Sequence, residues 1–168
     1  KINFGDFGKV GFSSMNSMFY GCTSLTEIDL SNFNFSNLTS GSSFNYFCYN
    51  CTSLEYLTIS NFSNNNLISF SNSFYRCTNL KGIGFINCNI KVKSLESTFK
   101  ECNSLENITI PESVTSIGSE AFANCKNLSG ELYIGEAVCF IKDFAFAWMS
   151  ELDHVVIPDG VAVLAVKE

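Results

Sequence analysis

The chain repeats itself six times, and that periodicity limits it to a stacked fold. Phe19-Tyr-Gly-Cys22-Thr-Ser-Leu25-Thr-Glu-Ile28-Asp-Leu30 returns as Cys48-Tyr-Asn-Cys51-Thr-Ser-Leu54-Glu-Tyr-Leu57-Thr-Ile59, with Cys48 in the place of Phe. The same pattern recurs at Phe74, Cys77 and Leu80, at Phe99, Cys102 and Leu105, and at Phe122, Cys125 and Leu128. It closes at Phe146, Met149 and Leu152, where Met takes the place of Cys. Successive Cys positions lie 29, 26, 25, 23 and 24 residues apart. No unit of that size buries its apolar edge alone, so the units must stack to share one core.

Each unit has a readable plan. In Leu-x-x-Ile-x-Ile the apolar positions alternate, as a short half-buried strand requires. A turn rich in Ser, Asn, Gly or Pro follows, as at Ser31-Asn32, Pro111-Glu-Ser113 and Pro158-Asp-Gly160. The remainder, such as Ile117 to Phe122, suits a short helix or helical turn. The expected fold is an α/β repeat solenoid: a parallel concave β-sheet with short helices or turns on the convex side. At about 4.8 Å per strand, six rungs form a slab roughly 30 Å long. Residues 1–168 then form a single domain of about six repeats. Ile2 reads as a strand remnant, and Pro158 to Val161 opens a seventh unit. Both ends are therefore expected to break off inside a repeat, with neighbouring repeats or caps beyond them.

Ile110-Pro-Glu-Ser-Val114-Thr-Ser-Ile117-Gly-Ser-Glu-Ala-Phe122-Ala-Asn-Cys125 resembles the BspA-like leucine-rich repeat. Leu30-Ser-Asn-Phe33 with Ser36-Asn-Leu38 is similar to its variant rich in Ser-Asn-Phe turns, which the first four units follow. Cys48 for Phe, Met149 for Cys, and a longer approach from Leu128 to Leu132 depart from the pattern. The resemblance implies a cell-surface or extracellular protein with a role in adhesion or binding. Fold alone does not fix that function.

The chemistry-bearing residues mostly have structural explanations. A position that accepts both Cys and Met is a packing position, since a free thiol behaves as a small hydrophobe. Cys22, Cys51, Cys77, Cys102 and Cys125 are thus expected to form a reduced buried ladder, not a disulfide framework. Cys88 and Cys139 lie outside it. Cys48-Tyr-Asn-Cys51 has Cys-x-x-Cys spacing, but the repeat accounts for both cysteines without a metal or redox role. His154 is the only histidine, and no phosphate loop, HExxH or Gly-x-Ser-x-Gly is present. No catalytic residue, metal or cofactor is expected. A net charge of −6 argues against nucleic acid. The longest apolar runs, such as Phe144 to Met149, are too short for membrane insertion.

Charged residues make up only 15% of the chain, so where they fall is informative. The outward strand positions include Glu27, Asp29, Glu55, Tyr56, Glu106, Glu131, Tyr133, Asp153 and His154. An acidic face carrying tyrosines suits a protein or other macromolecule, basic in character, with Tyr as anchor. The expected function is non-catalytic, adhesin-like macromolecule binding. The alternative is a purely structural spacer that displays another domain.

Overall fold

The computed structural model describes residue 2 and residues 11–38, 44–92 and 95–163. Ten strands follow in order: β1 Glu27–Leu30, β2 Tyr56–Ser60, β3 Ser63–Ile68, β4 Gly82–Ile86 and β5 Asn89–Val92, then β6 Ser116–Ile117, β7 Gly130–Tyr133, β8 Phe140–Ile141, β9 Leu152–Val156 and β10 Ala162–Val163. Every pairing is parallel. On the strand face, β1, β2 and β4 form one sheet, and β7 and β9 occupy the same repeat position further on. An outer set runs beside them as β3–β5 and as β6–β8–β10. Alternation decides which way the side chains face. Leu57 and Ile59 on β2 are buried, whereas Tyr56 on the same strand is exposed.

The expected short helices are replaced by turns; the described residues contain strands, turns and loops but no helix. Around each Phe position the backbone amides divide their bonds. Met18, Tyr20 and Cys22 donate to the residue three behind them, as in tight turns. Ser17, Phe19 and Gly21 between them donate instead to Asn45, Phe47 and Tyr49 of the next rung, at 2.8–3.0 Å. The same alternation recurs at Tyr46, Cys48 and Asn50, at Asn72, Phe74 and Arg76, and on to Glu120, Phe122 and Asn124. It requires two left-handed residues per unit, four apart: Ser17 and Gly21, Tyr46 and Asn50, Asn72 and Arg76, Ser97 and Glu101, Glu120 and Asn124, Phe144 and Trp148. A helix would spend every amide within its own rung. It is also about 10 Å wide, twice the strand spacing. Turns that pair rung to rung stack at the pitch of the strands. The helix-against-strand mismatch that would bend the strand face into a concavity is therefore absent.

The core is built from columns. Leu25, Leu54, Leu80, Leu105 and Leu128 are buried one above another, and Leu152 packs against the same core. Phe74, Phe99, Phe122 and Phe146 stack face to face with ring centroids 5.3–5.8 Å apart. Cys48 breaks this column, and Phe47 beside it meets Phe19 edge-on at 5.1 Å. Buried hydroxyls form a further ladder, Ser73 donating to Phe44 O and Thr98 to Phe70 O.

The Cys ladder has a polar side as well. Cys51 donates its thiol to Phe19 O at 2.9 Å, Cys77 to Cys48 O, Cys102 to Phe74 O and Cys125 to Phe99 O. All eight cysteines are free. Burial pushes the Cys77 and Cys102 thiols well up and the Cys125 thiol to about 12. A raised thiol pKa means that the unfolded chain ionises first. Stability should hold below pH 9 and fall as pH climbs toward 12. Cys102→Ala should cost about 1–2 kcal/mol through a small cavity and flatten that alkaline slope. Thermal melts from pH 7 to pH 10 check both, and a melting temperature that drops on adding reductant at pH 7 would refute the reduced ladder.

Candidate functional site

The strand face carries the predicted residues in three columns. Register places Glu27 beside Tyr56 and Gly82, and Asp29 beside Thr58 and Gly84. Backbone bonds place Glu55 between Thr26 and Lys81, with Glu106 next along. Further along the stack, Glu131 is opposite His154 and Tyr133 opposite Val156. Tyr56 and Tyr133 are 52% and 64% exposed, and Glu106, Glu131, Asp153 and His154 are exposed too.

The six acids do not form one unbroken stripe. Lys81, Gly82 and Gly84 interrupt them on the third rung. Lys81 binds Glu55 at 2.7 Å, lies 5.6 Å over the Tyr56 ring, and is held above its ordinary pKa by the Glu55 carboxylate. Asp29 accepts the amide of Ser31 at 2.9 Å and so caps its own turn. The structure does not bring His154, the single histidine, to Cys125. His154 is exposed on the strand face while Cys125 is buried in the core. Cys48 and Cys51 are both buried and lie side by side with their thiols hydrogen-bonded; burial pushes the Cys48 thiol up, and the bond to Cys48 holds the Cys51 thiol below its ordinary value.

Sequence reasoning missed a break in the face at the fourth rung. Residues 106–110 occupy the repeat position of a strand but pair with neither β4 nor β7. Among the described residues, only the Glu106 amide of this stretch reaches a neighbouring backbone, Lys81 O at 3.4 Å. Two irregularities meet here. Pro111 has no amide to continue the ladder. Gly130 is left-handed, at φ 75°, and beside it the register of β7 on β9 shifts by one residue, Asp153 of β9 being the unpaired one. The outer sheet breaks at the same rung, where Ser113 stands in for a strand by accepting Val92 N and donating to Ile90 O. The turn side runs on unbroken, Phe99 donating to Ala121 O and Glu101 to Ala123 O.

The face therefore opens while the back stays closed. A cleft of about 360 Å³ lies between β4 and Pro111, walled by Ile83, Phe85 and Thr109. A second, of about 780 Å³, lies between Ile108–Ile110 and β7. Glu112, Glu131 and Glu136 line the larger one together with Tyr133. Ile83 and Phe85 are only half-buried here, unlike Leu57 and Ile59 one rung earlier.

The turn side has an aromatic surface of its own. Tyr20 stacks on Tyr49 at 4.7 Å, Tyr46 lies 5.8 Å from Tyr49, and Tyr49 meets Tyr75 at 5.1 Å. Arg76 and Lys100 lie over Tyr75, each paired with a glutamate, Glu101 and Glu120. Phe144 and Trp148 stack at 6.1 Å with both residues left-handed.

Comparison with known proteins agrees with this architecture. The BspA type leucine rich repeat region matches in six copies, over residues 13–95 and 92–166. None of the curated proteins matches the chain. A leucine-rich repeat protein from Bacteroides ovatus, solved by crystallography, shares the fold with a TM-score of 0.65 and 24% identity. The match covers 86% of this chain and 34% of that protein, so this chain spans about a third of the length of its structural relative. Repeats, register and matched residues together show that the chain belongs to the BspA-type leucine-rich repeat family.

Proposed function

We propose that the chain is a non-catalytic binding section of a cell-surface solenoid, and that it engages a basic macromolecule, most simply a protein, through its strand face. The observation that carries this reading is the exposure of Tyr56 and Tyr133 among acids on that face. Neither ring is needed for the core, and exposed aromatics flanked by charge are the usual anchors of an interface. A spacer has no use for them. Nor does it explain Tyr46, Phe144 and Trp148, bulky residues kept in left-handed conformations that disfavour them.

The test passes basic extracellular proteins over the immobilised chain at several salt concentrations. Glu55→Gln with Glu106→Gln should slow association several-fold and flatten its salt dependence, because these charges steer encounter. Tyr56→Ala should mainly speed dissociation. If Ser31→Ala and Asn87→Ala on the turns weaken binding while these changes do not, the strand face is not the site.

A further inference from the structure

We infer that the break at the fourth rung is a seat for an extended, lysine- or arginine-containing peptide, which completes the interrupted sheet by adding a strand. The inference rests on the strand-face reading above and places the partner within it. Among the described residues β4 is paired on one side only, by β2, and β7 on one side only, by β9. Between them the amides of Asn107, Ile108, Thr109 and Ile110 have no backbone partner among the described residues. Backbone polar groups of a folded chain are almost always paired with protein or water, so this stretch is poised to accept a partner's backbone. An added strand is an established mode of peptide recognition: main-chain bonds give affinity, and alternate side chains give specificity.

The cleft also selects the chemistry of the guest. Its volume of about 780 Å³ falls within the range of ligand sites, about 300–1,000 Å³. Ile108, Ile110 and Ile134 supply an apolar wall, while Glu112, Glu131 and Glu136 supply the charge. Among the described residues no Lys or Arg lines it. An extended peptide alternating apolar and basic side chains meets both walls at once, since successive residues of a strand point to opposite sides. Tyr133 is positioned to lie along a lysine stem or under its ammonium.

The experiment uses a seven-residue peptide alternating Lys and Val, and the same peptide N-methylated at every residue, so that neither edge can donate. Methylation keeps charge and side chains but removes the donors a strand needs. The plain peptide should bind at least tenfold more tightly than the methylated one. It should also slow hydrogen exchange at Asn107–Ile110, and Glu112→Gln with Glu131→Gln should weaken it about tenfold. Equal binding of the two peptides overturns the added strand while leaving the charged face standing. Failure of both peptides, with basic proteins still bound, overturns the cleft alone. Failure of every basic probe overturns the cleft and the strand-face reading together. Amides at 107–110 already protected without peptide would show the rung closed in solution, and the seat would not exist.

Discussion

Phe99→Ala should remove about 3–5 kcal/mol of stability, a large share of the 5–15 kcal/mol that holds an ordinary domain. Phe99 is buried and is stacked on both sides, 5.5 Å from Phe74 and 5.3 Å from Phe122, with rings within 12° of parallel. Neither neighbour is free to move into the gap. The backbone of each is tied to the next rung, Phe74 N to Thr98 O and Phe122 N to Ala145 O. A solenoid is stabilised by nearest-neighbour contacts, so a cavity in the middle of the stack weakens two interfaces at once. Phe146→Ala, at the half-buried end of the same column, should cost clearly less. Urea denaturation of the two variants checks the order. A loss below about 1 kcal/mol for Phe99, or equal losses for both, would mean that the column is not a continuous core.

The fold was legible because the repeat reports packing directly. Phe, Cys and Leu recur at fixed offsets since each faces the same neighbours on every rung, and the register of β1, β2 and β4 preserves that equivalence. The short helices were misread for an equally physical reason. A stretch such as Ile117 to Phe122 has the composition of a helical turn, but its alternate amides bond to the next rung, and no local pattern records that choice. A sequence clue did exist. Gly21, Asn50, Asn72 and Asn124 stand where the backbone is left-handed, and these residue types tolerate that conformation best.

The candidate site was only partly legible. Alternation along each strand is enough to put Tyr56, Glu106, Glu131 and Tyr133 on the outer face. It says nothing of side-to-side neighbours, so the Lys81–Glu55 pair inside the acidic columns was not foreseen. Pro111 and the left-handed Gly130, which flank the break at the fourth rung, lie nineteen positions apart in sequence. Each reads singly as an ordinary turn or strand-approach residue, and only the stack brings their consequences together. The aromatic surface around Tyr49 was hidden in the same way. Tyr20, Tyr49 and Tyr75 each follow a Phe-position residue, and their column becomes a surface only when the rungs pair.

Gly118→Ala should destabilise the chain by about 3 kcal/mol, against the usual expectation for removing a glycine. Its backbone is not left-handed, so at an open position Ala would gain about 0.4–1 kcal/mol by restricting the unfolded chain. Here there is no room. A Cβ at 118 would come within 2.5 Å of both Cα and N of Glu96 on the rung before. That backbone cannot retreat: Glu96 O accepts Asn72 N at 2.9 Å, and the next amide, Ser97 N, donates to Ser119 O at 2.9 Å. The Glu96 carboxylate is engaged as well, accepting Ser119 N at 3.2 Å and lying 3.7 Å from Lys142. A methyl group at 118 therefore has to push adjacent rungs apart on the turn side, the side that holds the stack together where the strand face is open. Gly82→Ala is the matching control, since a Cβ there meets nothing within 4 Å. It should be neutral or slightly stabilising. Denaturation of the two variants side by side decides the matter, and an unchanged midpoint for Gly118→Ala would mean that the fourth and fifth rungs are not in close contact on this side.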